Sequence, residues 1–154
     1  MSDPQRVLIV EARFYEDIAD ALGAGATDVL DQAGVAYDRI AVPGVFEIPS
    51  AINIALKAME NQTSTTNYAG FIALGCVIRG ETDHYEFICR EASRALMELS
   101  VDHSAAFGFG VITCENDIQA WARAKADEIN VGGSAAKACL RMMDIKNDFG
   151  LTHQ

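Results

Sequence analysis

A histidine at position 84 closes the segment Arg79-Gly80-Glu81-Thr82-Asp83-His84, which follows at once on the apolar run Phe71-Ile-Ala-Leu-Gly-Cys-Val-Ile78. Such a run reads as a strand buried on both faces, and the Gly-containing turn after it leads into an amphipathic helix. In an open parallel sheet, ligands bind beyond the carboxyl ends of the strands, where this turn must lie. An imidazole placed there can take up or release a proton and sits beside backbone N–H groups able to hold an anion. The segment therefore suits proton transfer next to a phosphate or carboxylate. His84 falls in phase with Ile88, Ala92, Ala95 and Leu99, which predicts that it shares the stripe packed on the sheet. A plainer reading also fits. Asp83 and Glu86 are spaced as a capping-box-like pair, and with Glu81 they would make an ordinary acidic helix start.

Other candidates carry two readings each. Pro43-Gly-Val-Phe-Glu47-Ile-Pro49 presents an aromatic ring, a carboxylate and free backbone amides in one loop. Glu47 can accept hydrogen bonds from a polyol or an amine; equally, Phe46 can plug the core while Glu47 caps the following helix. Phe14, after the first strand, is a core residue or a stacking platform for a planar ring. Arg123, in Gln119-Ala-Trp-Ala-Arg123, is a solvated helix charge or a bidentate partner for a phosphate. Cys76 with His84 allows a thiol nucleophile, against which stands a buried strand thiol. The pairs Gly23-Ala-Gly25 and Gly108-Phe-Gly110 lack the strand-turn-helix context of a dinucleotide fingerprint. The chain has no P-loop, zinc-type cysteine pairing or nucleophile elbow. His84, His103 and His153 lie in unrelated places, so no metal site is expected.

These residues need a scaffold, and the pattern supplies one. Arg6–Val10 reads as a strand, followed by a helix over Tyr15–Ala33 that stops at Gly34. Ala36–Val42 mixes Asp38 and Arg39 with apolar residues, as suits a strand near the sheet edge. Pro49 opens a helix to Glu60 with Ile52, Ala55, Leu56 and Met59 on its apolar face. The polar stretch Asn61–Asn67 reads as loop. After the central strand and a helix to Ser100 come a strand over Ala105–Ile112 and helices over Asp117–Ala126 and Ser134–Asn147, parted by a break at Gly132-Gly133. Strands alternating with helices predict one three-layer αβα domain over residues 1–154, flavodoxin-like, with a small parallel sheet of four strands and helices on both faces.

Bulk properties bound the function. Half of the 154 residues are hydrophobic, enough for a core that buries roughly 68–70% of the unfolded surface. A formal net charge of -10 argues against nucleic-acid binding, which needs clustered Lys and Arg. It leaves room for an anionic small ligand held by one or two local cations. No apolar run approaches membrane-spanning length, and Met1-Ser-Asp-Pro lacks a cationic leader. Cys76, Cys89, Cys114 and Cys139 are scattered, which predicts free thiols in a reducing cytoplasm.

Taken in order, four segments resemble the lumazine synthase family: Ala12-Arg-Phe14, Pro43-Gly-Val-Phe-Glu-Ile-Pro49, Leu74-Gly-Cys-Val-Ile-Arg-Gly-Glu-Thr-Asp-His84, and Phe109-Gly-Val-Ile-Thr-Cys-Glu-Asn116 with Gln119-Ala and Arg123-Ala. The likeness spans nearly the whole chain. It implies condensation of 5-amino-6-(D-ribitylamino)uracil with 3,4-dihydroxy-2-butanone 4-phosphate to 6,7-dimethyl-8-ribityllumazine, phosphate and water, without a cofactor. By position, the resemblance has Phe14 stack on the pyrimidine while Val45, Phe46 and Glu47 hold the ribityl chain and ring edge. Cys76, Val77 and Ile78 line the ring pocket. Glu81 and Thr82 meet the phosphate, whose charge Arg123 pairs, and His84 moves protons. Phe109 is lent by a neighbouring subunit, so the sites lie between subunits of a homopentamer.

One segment departs from the family pattern. Where the family carries Asn-Lys-Gly and then an acidic residue, this chain reads Asn130-Val131-Gly132-Gly133-Ser134. The exchange removes a cation and an anion from the expected pocket and predicts weaker substrate affinity. It also keeps open a lumazine- or flavin-binding homologue with weak or no turnover; a Cys–His hydrolase using Cys76 is the third reading.

Overall fold

The computed structural model describes residues 5–151; residues 1–4 and His153 lie outside the described residues. Four strands, β1 (Arg6–Ala12), β2 (Ala36–Val42), β3 (Gly70–Ile78) and β4 (Phe107–Cys114), pair in parallel in the order β2-β1-β3-β4. Five helices connect and cover them: α1 (Glu16–Gln32), α2 (Ile48–Glu60), α3 (His84–Asp102), α4 (Asp117–Ala124) and α5 (Val131–Asp148). A single turn of 3-10 helix, Val45–Glu47, precedes α2.

The alternation of side chains along each strand divides the apolar residues between two cores. Val7, Ile9, Ile72, Leu74 and Ile112 face α1, α4 and α5, where Leu22, Ala120, Ala136 and Cys139 meet them. Leu8, Val10, Phe71, Ala73 and Val111 face α2 and α3, against Ile52, Leu56, Ala92 and Leu96. Helices thus cover both faces, giving the three-layer flavodoxin-like α/β arrangement. β2 lies at one edge and is largely exposed, in keeping with its mixed composition. α1 ends as its sequence indicates, with Gly34 at φ +69° and Val35 N–H donating to the Leu30 carbonyl at 3.0 Å.

The elements differ from the sequence pattern in three places. β1 runs two residues longer and takes in Glu11, which is 3% exposed. Its carboxylate accepts two hydrogen bonds from Arg39 on β2, both at 2.8 Å, and Arg13 stands 3.4 Å away. This residue belongs to the sheet, not to a loop. β4 is shifted by two residues, because pairing with β3 begins at Phe107 opposite Phe71. The expected break at Gly132-Gly133 falls instead at Lys125–Asn130, and both glycines lie in the first turn of α5. Gly132 and Gly133 serve close approach: a Cβ on Gly132 would collide with the Leu22 carbonyl of α1, and one on Gly133 with the Asn130 side chain. Asn130 supplies the turn itself, at φ 55° and ψ 57°, and its side chain accepts from Gly133 N–H at 3.1 Å.

Candidate active site

The sheet order places the reversal of strand order between β1 and β3, the position where open α/β sheets bind ligands. The loops leaving three adjacent strands (β2, β1 and β3) rise there around a cavity of about 460 Å³. From the first loop come Phe14 and Tyr15, from the second Pro43–Glu47, and from the third Gly80, Thr82 and His84. The end of β3 supplies Cys76, Val77 and Ile78, and the start of α3 supplies Tyr85 and Ile88.

Each loop reaches the cavity for a local reason. In the first, Arg13 anchors the chain. Its N–H donates to the Val42 carbonyl at 3.2 Å and its guanidinium pairs with Asp20 and Glu11. Phe14 is left 74% exposed, its ring edge-on to Tyr15 with centroids 5.0 Å apart. Burial pushes the Tyr15 phenol pKa upward, with smaller contributions from Cys76 and Asp117. In the second loop, the 3-10 turn buries Val45 in the core beside Ile48 and turns Phe46 outward, 60% exposed. Phe46 therefore does not plug the core; Val45 does. Glu47 makes no side-chain cap to α2, so its carboxylate is not spent on the helix.

The third loop differs from its reading as a helix cap. Asp83 occupies the cap position of α3 but accepts no hydrogen bond through its side chain, and Glu86 turns to Arg79 at 3.3 Å instead of completing a capping box. Thr82 Oγ1 accepts from His84 N–H at 3.3 Å, leaving the hydroxyl proton free to donate. The stripe of α3 that packs on the sheet is Tyr85, Ile88, Ala92, Leu96 and Leu99, and His84 stands exposed beside it on the cavity rim. The stripe keeps Ile88, Ala92 and Leu99 of the sequence reading but takes Tyr85 and Leu96 in place of His84 and Ala95.

Cys76 is 7% exposed, and its pKa is pushed up to about 12, first by burial and then by the neighbouring Cys114. At that value the thiol is protonated at neutral pH and forms an apolar wall, not a nucleophile. The Cys–His hydrolase loses its reacting group on this ground.

Three of the sequence-selected residues lie outside the cavity of their own chain. Glu81 is exposed on the third loop, and Phe109 projects from the edge strand β4, 45% exposed. Arg123 sits on α4 with Nη1 donating to the Gln119 carbonyl at 3.1 Å. Val131 and Ser134, at the start of α5, do not line the cavity either. Conversely, Tyr15 and Tyr85 line it although the sequence reading passed over both. Their signal was adjacency to Phe14 and His84, and for Tyr85 the three-and-four spacing to Ile88, Ala92, Leu96 and Leu99.

Comparisons with known proteins converge on one group. Residues 4–147 match the family model described as 6,7-dimethyl-8-ribityllumazine synthase. A curated relative of that name from Afipia carboxidovorans is 56% identical over 141 residues, which are 92% of this chain and 85% of that protein. Relatives of the same name from Paramagnetospirillum magneticum and Agrobacterium fabrum are 49% and 52% identical, covering 96% and 97% of this chain and 98% and 99% of theirs.

Proposed function

The chain belongs to the 6,7-dimethyl-8-ribityllumazine synthase family, and we propose that its cavity condenses 5-amino-6-(D-ribitylamino)uracil with 3,4-dihydroxy-2-butanone 4-phosphate in riboflavin biosynthesis. The products are 6,7-dimethyl-8-ribityllumazine, phosphate and water. One observation carries the assignment to this site: nine residues selected from the sequence (Phe14, Val45, Phe46, Glu47, Cys76, Val77, Ile78, Thr82 and His84) come from three separate loops and strand ends to line one cavity.

The chemistry fits what surrounds that cavity. An amine attacks the ketone, an imine forms with loss of one water, phosphate leaves by elimination, and the second amine attacks the carbonyl so generated and closes the ring with loss of a second water. Both substrates are reactive on their own, so orientation supplies much of the acceleration. Phe14, exposed and beside an apolar wall of Cys76, Val77 and Ile78, offers a face on which a flat pyrimidine stacks. The Val45 and Phe46 backbone and the uncommitted Glu47 carboxylate take the ribityl hydroxyls and ring edge. His84, exposed on the rim, moves protons between imine, enol and leaving group. Thr82 donates its hydroxyl to the phosphate, and Glu81 contributes its backbone.

Phe109 and Arg123 belong to the same reading through assembly. Both stand away from the cavity of their own chain, on the β4 edge and on α4, as expected of groups that complete a neighbouring copy's site in a homopentamer. Arg123 then pairs with the phosphate as it departs. No helix among the described residues is long and apolar enough to cross a membrane; the four unpaired cysteines support a reducing compartment, and on that ground we place the enzyme in the cytoplasm. The test is direct: incubate the purified chain with both substrates and resolve the product by mass. Appearance of the lumazine with stoichiometric phosphate is expected. Binding of the pyrimidine without product would establish the non-catalytic homologue instead.

A further inference from the structure

We propose that Arg79 is a positioning residue that fixes the His84 loop over the cavity and couples it to the segment carrying Arg123, an inference that rests on the function proposed above. The geometry is a three-way clamp. Arg79 Nε donates to Glu115 Oε2 at 2.9 Å and Nη1 to Glu86 Oε1 at 3.3 Å, while the guanidinium carbon lies 4.4 Å from the centroid of the Tyr85 ring. Glu86 and Tyr85 belong to the first turn of α3, which begins at His84; Glu115 belongs to the link between β4 and α4. Arg79 N–H also donates to the Cys114 carbonyl at 2.8 Å, so backbone and side chain tie the third loop to the same link. From there Glu115 N–H donates to Gln119 Oε1 at 2.9 Å, and the Gln119 carbonyl accepts from Arg123 at 3.1 Å. An unbroken series of contacts thus runs from the His84 turn to Arg123.

The reason for arginine is its shape. A planar fork can serve two carboxylates and lie over an aromatic face at once, whereas a lysine ammonium acts as a point charge. The loop between Arg79 and His84 has little else to hold it. Gly80 has no heavy atom near the site of a Cβ, residues 80–84 are exposed or without core contacts, and Asp83 gives no side-chain cap. Loosening the clamp leaves the pyrimidine wall of Phe14, Val45 and Cys76 intact while His84 wanders.

Steady-state kinetics on Arg79→Met, Arg79→Lys, Glu115→Gln and the Arg79→Met/Glu115→Gln double variant test this, with calorimetric affinity for the pyrimidine substrate alone. Misplacement of a proton-transfer group by about 1 Å predicts a kcat lower by roughly 10–100-fold in Arg79→Met, with pyrimidine affinity held within about twofold. Arg79→Lys should recover less than about a third of the lost rate, since it keeps charge but not the fork. The double variant should be no slower than Arg79→Met, because both changes break one contact series. Full activity in Arg79→Lys, multiplicative losses in the double variant, or a loss of affinity equal to the loss of rate would each overturn the positioning role. If Arg79→Met does not fold, Glu115→Gln, a surface change, decides alone: unaltered kcat overturns the proposal. A wild-type chain that forms no product defeats the function and this inference together; an active wild type with indifferent Arg79 variants defeats only the inference.

Discussion

Gly75→Ala tests whether the cavity depends on the close packing of β3 against the turn behind it. A Cβ at Gly75 would sit 2.7 Å from Val45 Cγ2, 3.1 Å from Ala12 Cβ and 3.6 Å from Ile48 Cδ1. Carbon atoms in contact rest about 3.5–4.0 Å apart, so the added methyl demands a shift of roughly 1 Å. Val45 is β-branched and 5% exposed, and Ala12 is fixed in β1, so rotation alone does not relieve the clash. Overpacking of this kind costs about 1–3 kcal/mol. At about 2–4 °C per kcal/mol for a chain of this size, Tm should fall by roughly 2–12 °C. The turn that Val45 roots carries Phe46 and Glu47 into the cavity, and its displacement should lower kcat/KM about 10–100-fold, chiefly through KM for the pyrimidine. Thermal unfolding and an absorbance assay of the lumazine product measure the two effects. Shortening the obstacle with Val45→Ala in the same chain should restore part of both. If Gly75→Ala keeps the wild-type Tm and KM, Val45 does not hold the binding turn in place and the account of the second loop is wrong.

Two further outcomes follow from the site and a third from the edge strand β2. His84→Ala should reduce kcat by about 10²–10⁴-fold with pyrimidine affinity preserved, as measured by steady-state rates and calorimetry; an unchanged rate removes His84 from proton transfer. Iodoacetamide at pH 7.5 should leave activity intact and Cys76 unmodified by mass spectrometry, since a thiol pushed up to about 12 is almost wholly protonated there. Rapid inactivation would return the thiol to candidacy as a nucleophile. Stability should also fall in alkali. Tyr68 donates to Asp38 at 2.7 Å, and its pKa is raised by burial first, and then by that carboxylate, from 10.0 to about 12. The unfolded phenol ionises first, so this contribution is complete below pH 10 and disappears between pH 10 and about 12. Urea unfolding of wild type and Tyr68→Phe across that range should converge at the upper end; a constant difference would show that the phenol is not the titrating group.

Much of this protein is written in local pattern. The continuous apolar runs of β1 and β3, the three-and-four spacing along α1 and α2, Pro49 near a helix start and Gly34 past a helix end depend on neighbours only a few residues away. Parallel β/α alternation then leaves few topologies, and loops at the carboxyl ends of the strands become the natural site. The residue types in those loops, Phe14, Phe46, Glu47, Thr82 and His84, were legible without coordinates. What the pattern misjudged were long-range matters. Gly132-Gly133 reads as a break until α1 is seen pressed against it, and Glu11 reads as a loop acid until Arg39 is seen beside it.

Sequence alone therefore determined the elements, the site's chemical vocabulary and the family. Tertiary structure decided which of those groups share a space: three loops close on one cavity, Cys76 becomes a protonated wall, and Arg79 gains partners on α3, at the end of β4 and in the link that follows it. It also decided that Phe109 and Arg123 stand apart from their own chain's cavity. The physical reason is range. Propensity and periodicity act through adjacent residues, whereas burial, charge pairing and steric contact are set by segments that the chain brings together only when the sheet closes.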